Sequence, residues 1–162
     1  MSTEDILSRV KALYRKVIEV EDKGHLPRAA ELYGRVADAA RGLGVDNLVM
    51  LEMQLRQGIA LAAYGTNAIG EQAPSILAAN LATFVALLTS AIEALERRRV
   101  ADTLLDGNCC AAETAWYSWL SELAASRDYL TADCGAAAPA ALVGTTKSCW
   151  LAWAQWLRLK PL

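Results

Sequence analysis

Three observations predict an all-α fold, an antiparallel bundle or short solenoid of five to six helices. Ala and Leu number 31 and 24 of the 162 residues, against a single Phe, and both lose little side-chain freedom in a helix. Apolar residues recur at steps of three and four through most of the first hundred positions, which is the helical period and not the strand period. Gly, Pro and Asn gather in short clusters between those runs, where helices stop and start. At this length the chain can fill one core but not two large ones, so a single helical domain over residues 1–162 is expected.

The first helix is expected from Thr3 to about Gly24, where Ile6, Val10, Leu13, Val17 and Val20 share one face. Ser2 or Thr3 can cap it, Glu4 and Asp5 suit its positive end, and Gly24 is a natural residue for a left-handed stop. The second helix starts at Pro27, which is tolerated in a first turn, and carries Ala29, Tyr33, Val36 and Ala40 to the Gly42-Leu43-Gly44 break. Only Gly24, His25 and Leu26 separate the two, so they should form an antiparallel hairpin.

A third helix opens at Asp46 or Asn47 and carries Leu48, Leu51, Leu55, Ile59 and Ala62 up to Gly65-Thr66-Asn67 and Gly70. The fourth begins near Pro74-Ser75, shows Leu77, Leu81, Phe84, Leu88, Ala91 and Leu95, and is expected to close on Glu96-Arg97-Arg98-Arg99, whose charges complement a helix C-terminus. A fifth is read at about residues 110–125, with Trp116 and Trp119, and a sixth at about 145–159, with Trp150, Trp153 and Trp156. Residues 1–100 hold 12 basic and 12 acidic side chains, whereas residues 101–162 hold 4 and 6 together with all five Trp. Helices 5 and 6, over 109–162, are too few to stand alone and should pack on helices 1–4.

At residues 24–36 the run Gly24-His25-Leu26-Pro27-Arg28-Ala29-Ala30-Glu31-Leu32-Tyr33-Gly34-Arg35-Val36 resembles the turn and second helix of a tetratricopeptide repeat. Ala29 stands where a small residue permits close helix approach, and Tyr33 where an aromatic fills the adjoining space. Gln57-Gly58-Ile59-Ala60-Leu61 is similar to the Leu-Gly region of a first repeat helix, and the likeness extends over about residues 6–65. In helix 1 that Leu-Gly pair is replaced by Lys16 and Val17. The segment from Glu21 to Tyr33 also resembles, more weakly, the microtubule-interacting and trafficking domain, a three-helix bundle. Either resemblance implies binding of a peptide or helix without chemistry. In the repeat family the groove is lined by first helices, which implies Lys16, Met53, Gln54 and Gln57 as contacts.

Composition narrows the function classes further. The net charge of −2 lacks the basic excess of a phosphate-reading surface, so nucleic acid is not an expected partner. His25 is the only histidine, and Cys109, Cys110, Cys134 and Cys149 show no C-x-x-C spacing, so neither a metal nor another cofactor is expected. Ser118 and Ser121 have no accompanying base, and the pairs Asp102 with Asp106 and Glu93 with Arg97 read as helix surface, so no catalytic residue is expected. The N-terminus has no basic, then apolar, leader pattern, which together with the cysteine pattern suggests a cytoplasmic protein with free thiols.

The expected function is therefore a non-catalytic adaptor or scaffold for another protein or peptide. Trp150, Trp153 and Trp156, three residues apart, form a stripe that can serve as core or as an interface anchor. The alternative is a subunit of a membrane-associated assembly, held by helix 4 or by the Trp-rich end. Residues Gln72 to Ile92 carry no formal charge over 21 positions, long enough to span a bilayer. Asn80, Ser75, Thr83, Thr89 and Ser90 interrupt them, and a mean hydropathy of only +0.20 for the chain favours a buried bundle helix.

Overall fold

The computed structural model describes residues 2–104, together with Ala124, Arg127 and Asp128. Among the described residues the structure is all-helical: α1 spans Thr3–Asp22, α2 Leu26–Ala40, α3 Leu48–Asn67 and α4 Ala73–Leu104, with a 3-10 turn at Arg41–Leu43. Apart from Ala124, which is helical, the expected fifth helix lies outside the described residues, as does the expected sixth with Trp150, Trp153 and Trp156.

Local chemistry sets each boundary. Ser2 caps α1 through a reciprocal pair, in which the Asp5 amide donates to Ser2 Oγ and the Ser2 amide donates to Asp5 Oδ2. The same hydroxyl and amide hold the Asp5 carboxyl below its ordinary pKa. Gly24 turns the chain at φ +80, a value that favours glycine, while its amide donates to Glu21 O at 2.8 Å. His25 takes the N-cap position of α2 but makes no side-chain capping bond, and Pro27 occupies the first turn.

Asn47 joins α2 to α3. Its Oδ1 accepts from the Met50 amide at 2.9 Å, and its Nδ2 donates to Ala40 O at 2.8 Å and Gly44 O at 2.9 Å. One buried side chain therefore caps the start of α3 and satisfies the last carbonyl of α2 together with that of Gly44 after the 3-10 turn.

The helices pack in chain order, α1 on α2, α2 on α3 and α3 on α4. Two apolar clusters follow from this. Val10 and Val17 meet Ala29, Tyr33, Val36, Ala40 and Met53 on one side. Leu51, Leu55 and Ile59 meet Leu81, Phe84, Leu88 and Leu95 on the other. α3 belongs to both clusters, which is why its faces are apolar nearly all round. Gly58 and Gly65 let α4 approach, since a Cβ on Gly58 would lie 2.4 Å from Phe84 Cδ2 and one on Gly65 would lie 3.1 Å from Leu77 Cα.

Two boundary expectations are corrected. α3 continues through Gly65 to Asn67, because that glycine serves close packing there and does not end the helix. α4 runs on to Leu104, so Arg97, Arg98 and Arg99 are not its last turn. They act sideways: Arg97 pairs with Asp46, Arg98 Nη1 donates to Asp46 O at 3.0 Å, and Arg99 pairs with Glu96.

Candidate functional site

A buried polar seam joins α1, α2 and α3. Glu52 and Arg56, one helical turn apart on α3, lie almost wholly inside, and Arg56 Nε and Nη2 donate to Glu52 Oε1 at 3.2 and 3.0 Å. The guanidinium stands 5.5 Å from the centroid of the Tyr14 ring of α1, close enough for a cation–π attraction. Tyr33 of α2, fully buried, donates its hydroxyl to Glu21 Oε2 near the end of α1.

The electrostatics follow from burial. Loss of water, then the Glu21 charge, pushes the Tyr33 hydroxyl far above the ordinary phenol range, so it stays protonated and remains a donor. Burial opposes the Arg56 charge, but Glu52 and the two tyrosines outweigh it and raise the Arg56 pKa. Glu52 is committed to Arg56, and Tyr33 is committed to Glu21. The seam orients helices; it presents no nucleophile beside a base.

The contacts implied by the repeat resemblance do not converge on one surface. Lys16 is exposed on α1. Met53 is fully buried in the α1–α2 cluster, which removes it from any partner surface. Gln57 packs its amide against Gly34 of α2, where a Cβ would lie 2.8 Å from Nε2. Gln54 is half-buried, and two positions from both Glu52 and Arg56 it projects about 200° away from them around α3. Its Oε1 is buried without a hydrogen-bond partner among the described residues.

Sequence reading missed the seam itself. The signal was present: an acid and an arginine four apart at Glu52 and Arg56, enclosed by Leu51, Met53, Leu55, Ile59 and Ala60. On a helix that is apolar on nearly every side, such a pair has little solvated surface to occupy.

The second candidate is the outer face of α4. Ala78, Ala79, Ala82, Thr83, Ala86 and Ser90 are exposed along it, and only 28% of the helix's most apolar stretch is buried. Where α4 passes the start of α3, a shallow notch is lined by Glu96, Arg97, Val100 and Ala101. Its charged groups are already engaged, Glu96 with Arg99 and Arg97 with Asp46.

Among the described residues no cluster of His, Cys, Asp or Glu is arranged to hold a metal ion. The four cysteines, Asp106, Ser118 and Ser121 lie outside the described residues. No protein family, characterised protein or solved structure matches the chain.

Proposed function

We propose that this chain is a non-catalytic interaction module, an adaptor or scaffold, that binds a helix of a partner protein along α4. The observation that carries this reading is the outer face of α4, exposed from Ala78 to Ser90 and built from small side chains. Small residues let two helix backbones approach closely, which favours a helix as the occupant. The exposed Ala, Ser and Thr also offer little apolar area to lipid, whereas bilayer insertion is driven by Leu, Ile, Phe and Val. On α4 Leu81, Phe84, Leu88 and Ile92 are turned instead into the contact with α3.

The membrane alternative is favoured by one observation, that Ala73–Ala101 is long and apolar enough to cross a bilayer, with a mean hydropathy of 1.9 in its best window. A photo-cross-linking residue at Ala82 in the full chain separates the two. Capture of a protein in cells, abolished by Ala86→Arg, is the result expected of an interaction module. Capture of lipid alone, with the chain partitioning into detergent, overturns it.

The tetratricopeptide-like origin of residues 24–36 belongs to this proposal. It rests on the sequence run itself, within which Ala29 and Tyr33 are fully buried in the cluster shared with Val10 and Val17. Trp150, Trp153 and Trp156 are proposed as a second contact face, and a cytoplasmic location is proposed with it.

A further inference from the structure

We infer that the bed of α2 and α3 on which α1 lies is an exchangeable helix-binding site, and that its second occupant is α1 of another copy of this chain. This goes beyond the α4 reading and uses a different surface, so the α4 cross-linking result does not bear on it. Among the described helices α1 stands at one end of the stack, and it packs on α2 and the 3-10 turn. Of its 20 residues only Val10 and Val17 are buried, whereas α2 buries seven of 15. At its junction with α2, Gly24 has φ +80 and nothing within 4 Å of a would-be Cβ, so the pivot is unobstructed.

The bed selects its occupant chemically. Lifting α1 would uncover the apolar Val36 and Ala40 and would leave Arg56 without the ring it faces and Tyr33 without its acceptor. An incoming helix must therefore supply two apolar side chains, an aromatic ring and a carboxylate at fixed register. α1 supplies them as Val10, Tyr14, Val17 and Glu21, steps of four, three and four that make one stripe on a helix. A second copy of α1 carries the same stripe by identity. Reciprocal exchange of a terminal element between identical chains is a low-cost route to a dimer, because each exchanged contact replaces an equivalent one.

The test uses the full chain and a fluorescein-labelled peptide of residues 2–23 as the probe. Val10→Asp in the full chain loosens its own α1 without touching the bed. Saturable binding to that variant is expected to be about ten-fold tighter than to the unmodified chain, and a peptide carrying Tyr14→Ala with Glu21→Ala is expected to bind about ten-fold more weakly. Absence of saturable binding to a variant that keeps its helicity overturns the inference, and so does equal binding of the substituted peptide. If Val10→Asp unfolds the whole chain, hydrogen exchange on the unmodified chain decides. Exchange of α1 amides together and ahead of α3 supports the inference; protection of α1 equal to that of α3 overturns it.

Discussion

Arg97 reaches an aspartate 51 residues earlier in the chain and places Nε and Nη2 on the two oxygens of Asp46, at 2.9 and 3.0 Å. The loop that leads into α3 is thereby tied to the last quarter of α4, and Arg98 adds a bond to the Asp46 carbonyl. Asp46 is the described non-glycine residue with positive φ, at 54°, a conformation that Asp and Asn tolerate better than other side chains.

The Asp46–Arg97 pair makes the tie pH-dependent. The Arg97 hydrogen bonds hold the Asp46 carboxyl below its ordinary value, against a smaller opposing effect of burial. A lowered folded-state pKa contributes stability that is present above the unfolded value, about 3.9, and is lost as pH falls through the folded value. Asp46→Asn keeps the tolerance for positive φ and removes the charge. Its Tm deficit relative to the unmodified chain should be constant near neutrality and shrink as the pH drops below about 4. A deficit that does not change with pH would show that the charge is not what Arg97 recognises.

Breaking the buried pair from one side should be costly. Glu52→Leu leaves Arg56 charged inside the protein and is expected to lower the unfolding free energy by about 3–5 kcal/mol. The double change Glu52→Leu with Arg56→Met should recover most of that loss, because it removes both buried charges. Urea unfolding of the four chains of this cycle measures the coupling. Equal losses in the single and double variants would place the Glu52 effect elsewhere than in the pair.

Removing the Tyr33 hydroxyl is a smaller perturbation. Tyr33→Phe preserves the ring among Val10, Val17 and Val36 and deletes the bond to Glu21, at an expected cost of about 1.5–3 kcal/mol for a hydrogen bond to a charged group. Glu21→Gln, which retains an acceptor, should cost less than Tyr33→Phe by the same unfolding measurement.

The α3–α4 contact depends on a glycine and a ring in register. Gly58→Ala pushes a methyl group into Phe84 and should destabilise the fold by about 1–3 kcal/mol. Phe84→Ala should cost about 3–5 kcal/mol by leaving a cavity. Combined, the two should cost less than their sum, since the new methyl occupies part of the space the ring vacates. Strict additivity in chemical denaturation would contradict the contact.

The four described helices were legible because their evidence is local. Ser2, Gly24 and Pro27 act within one turn of themselves, as does the Asn47 cap on the Met50 amide, and the stripe Ile6, Val10, Val17 needs no partner to be recognised; the Asn47 bond to Ala40, seven residues back, is tertiary. The start of α4 was legible too, but its end was not. Three arginines in a row resemble a helix C-terminus, and only the position of Asp46 beside them shows that they are spent on a lateral tie. Gly65 misled in the same way, since a glycine that ends a helix and a glycine that admits Leu77 look alike in one dimension.

The contact residues read from the repeat resemblance illustrate the limit for a site. Lys16, Met53, Gln54 and Gln57 follow from the place of first helices in the repeat family, whereas in this chain Met53 is taken into the core shared with α1 and α2 and Gln57 lies against Gly34. The seam of Tyr14, Glu21, Tyr33, Glu52 and Arg56 was invisible as a unit because its members come from three helices.

By itself, then, the sequence determined the helical class of the described residues, the positions of their caps and turns, and which stripe of each described helix is apolar. All of these arise from interactions within about four residues along the chain. Tertiary structure alone decided which polar groups are buried together and which face of α4 is left exposed. Those outcomes depend on the approach of helices distant in sequence, and the energy of a charge is set by what excludes water from it and by what stands within a few ångströms.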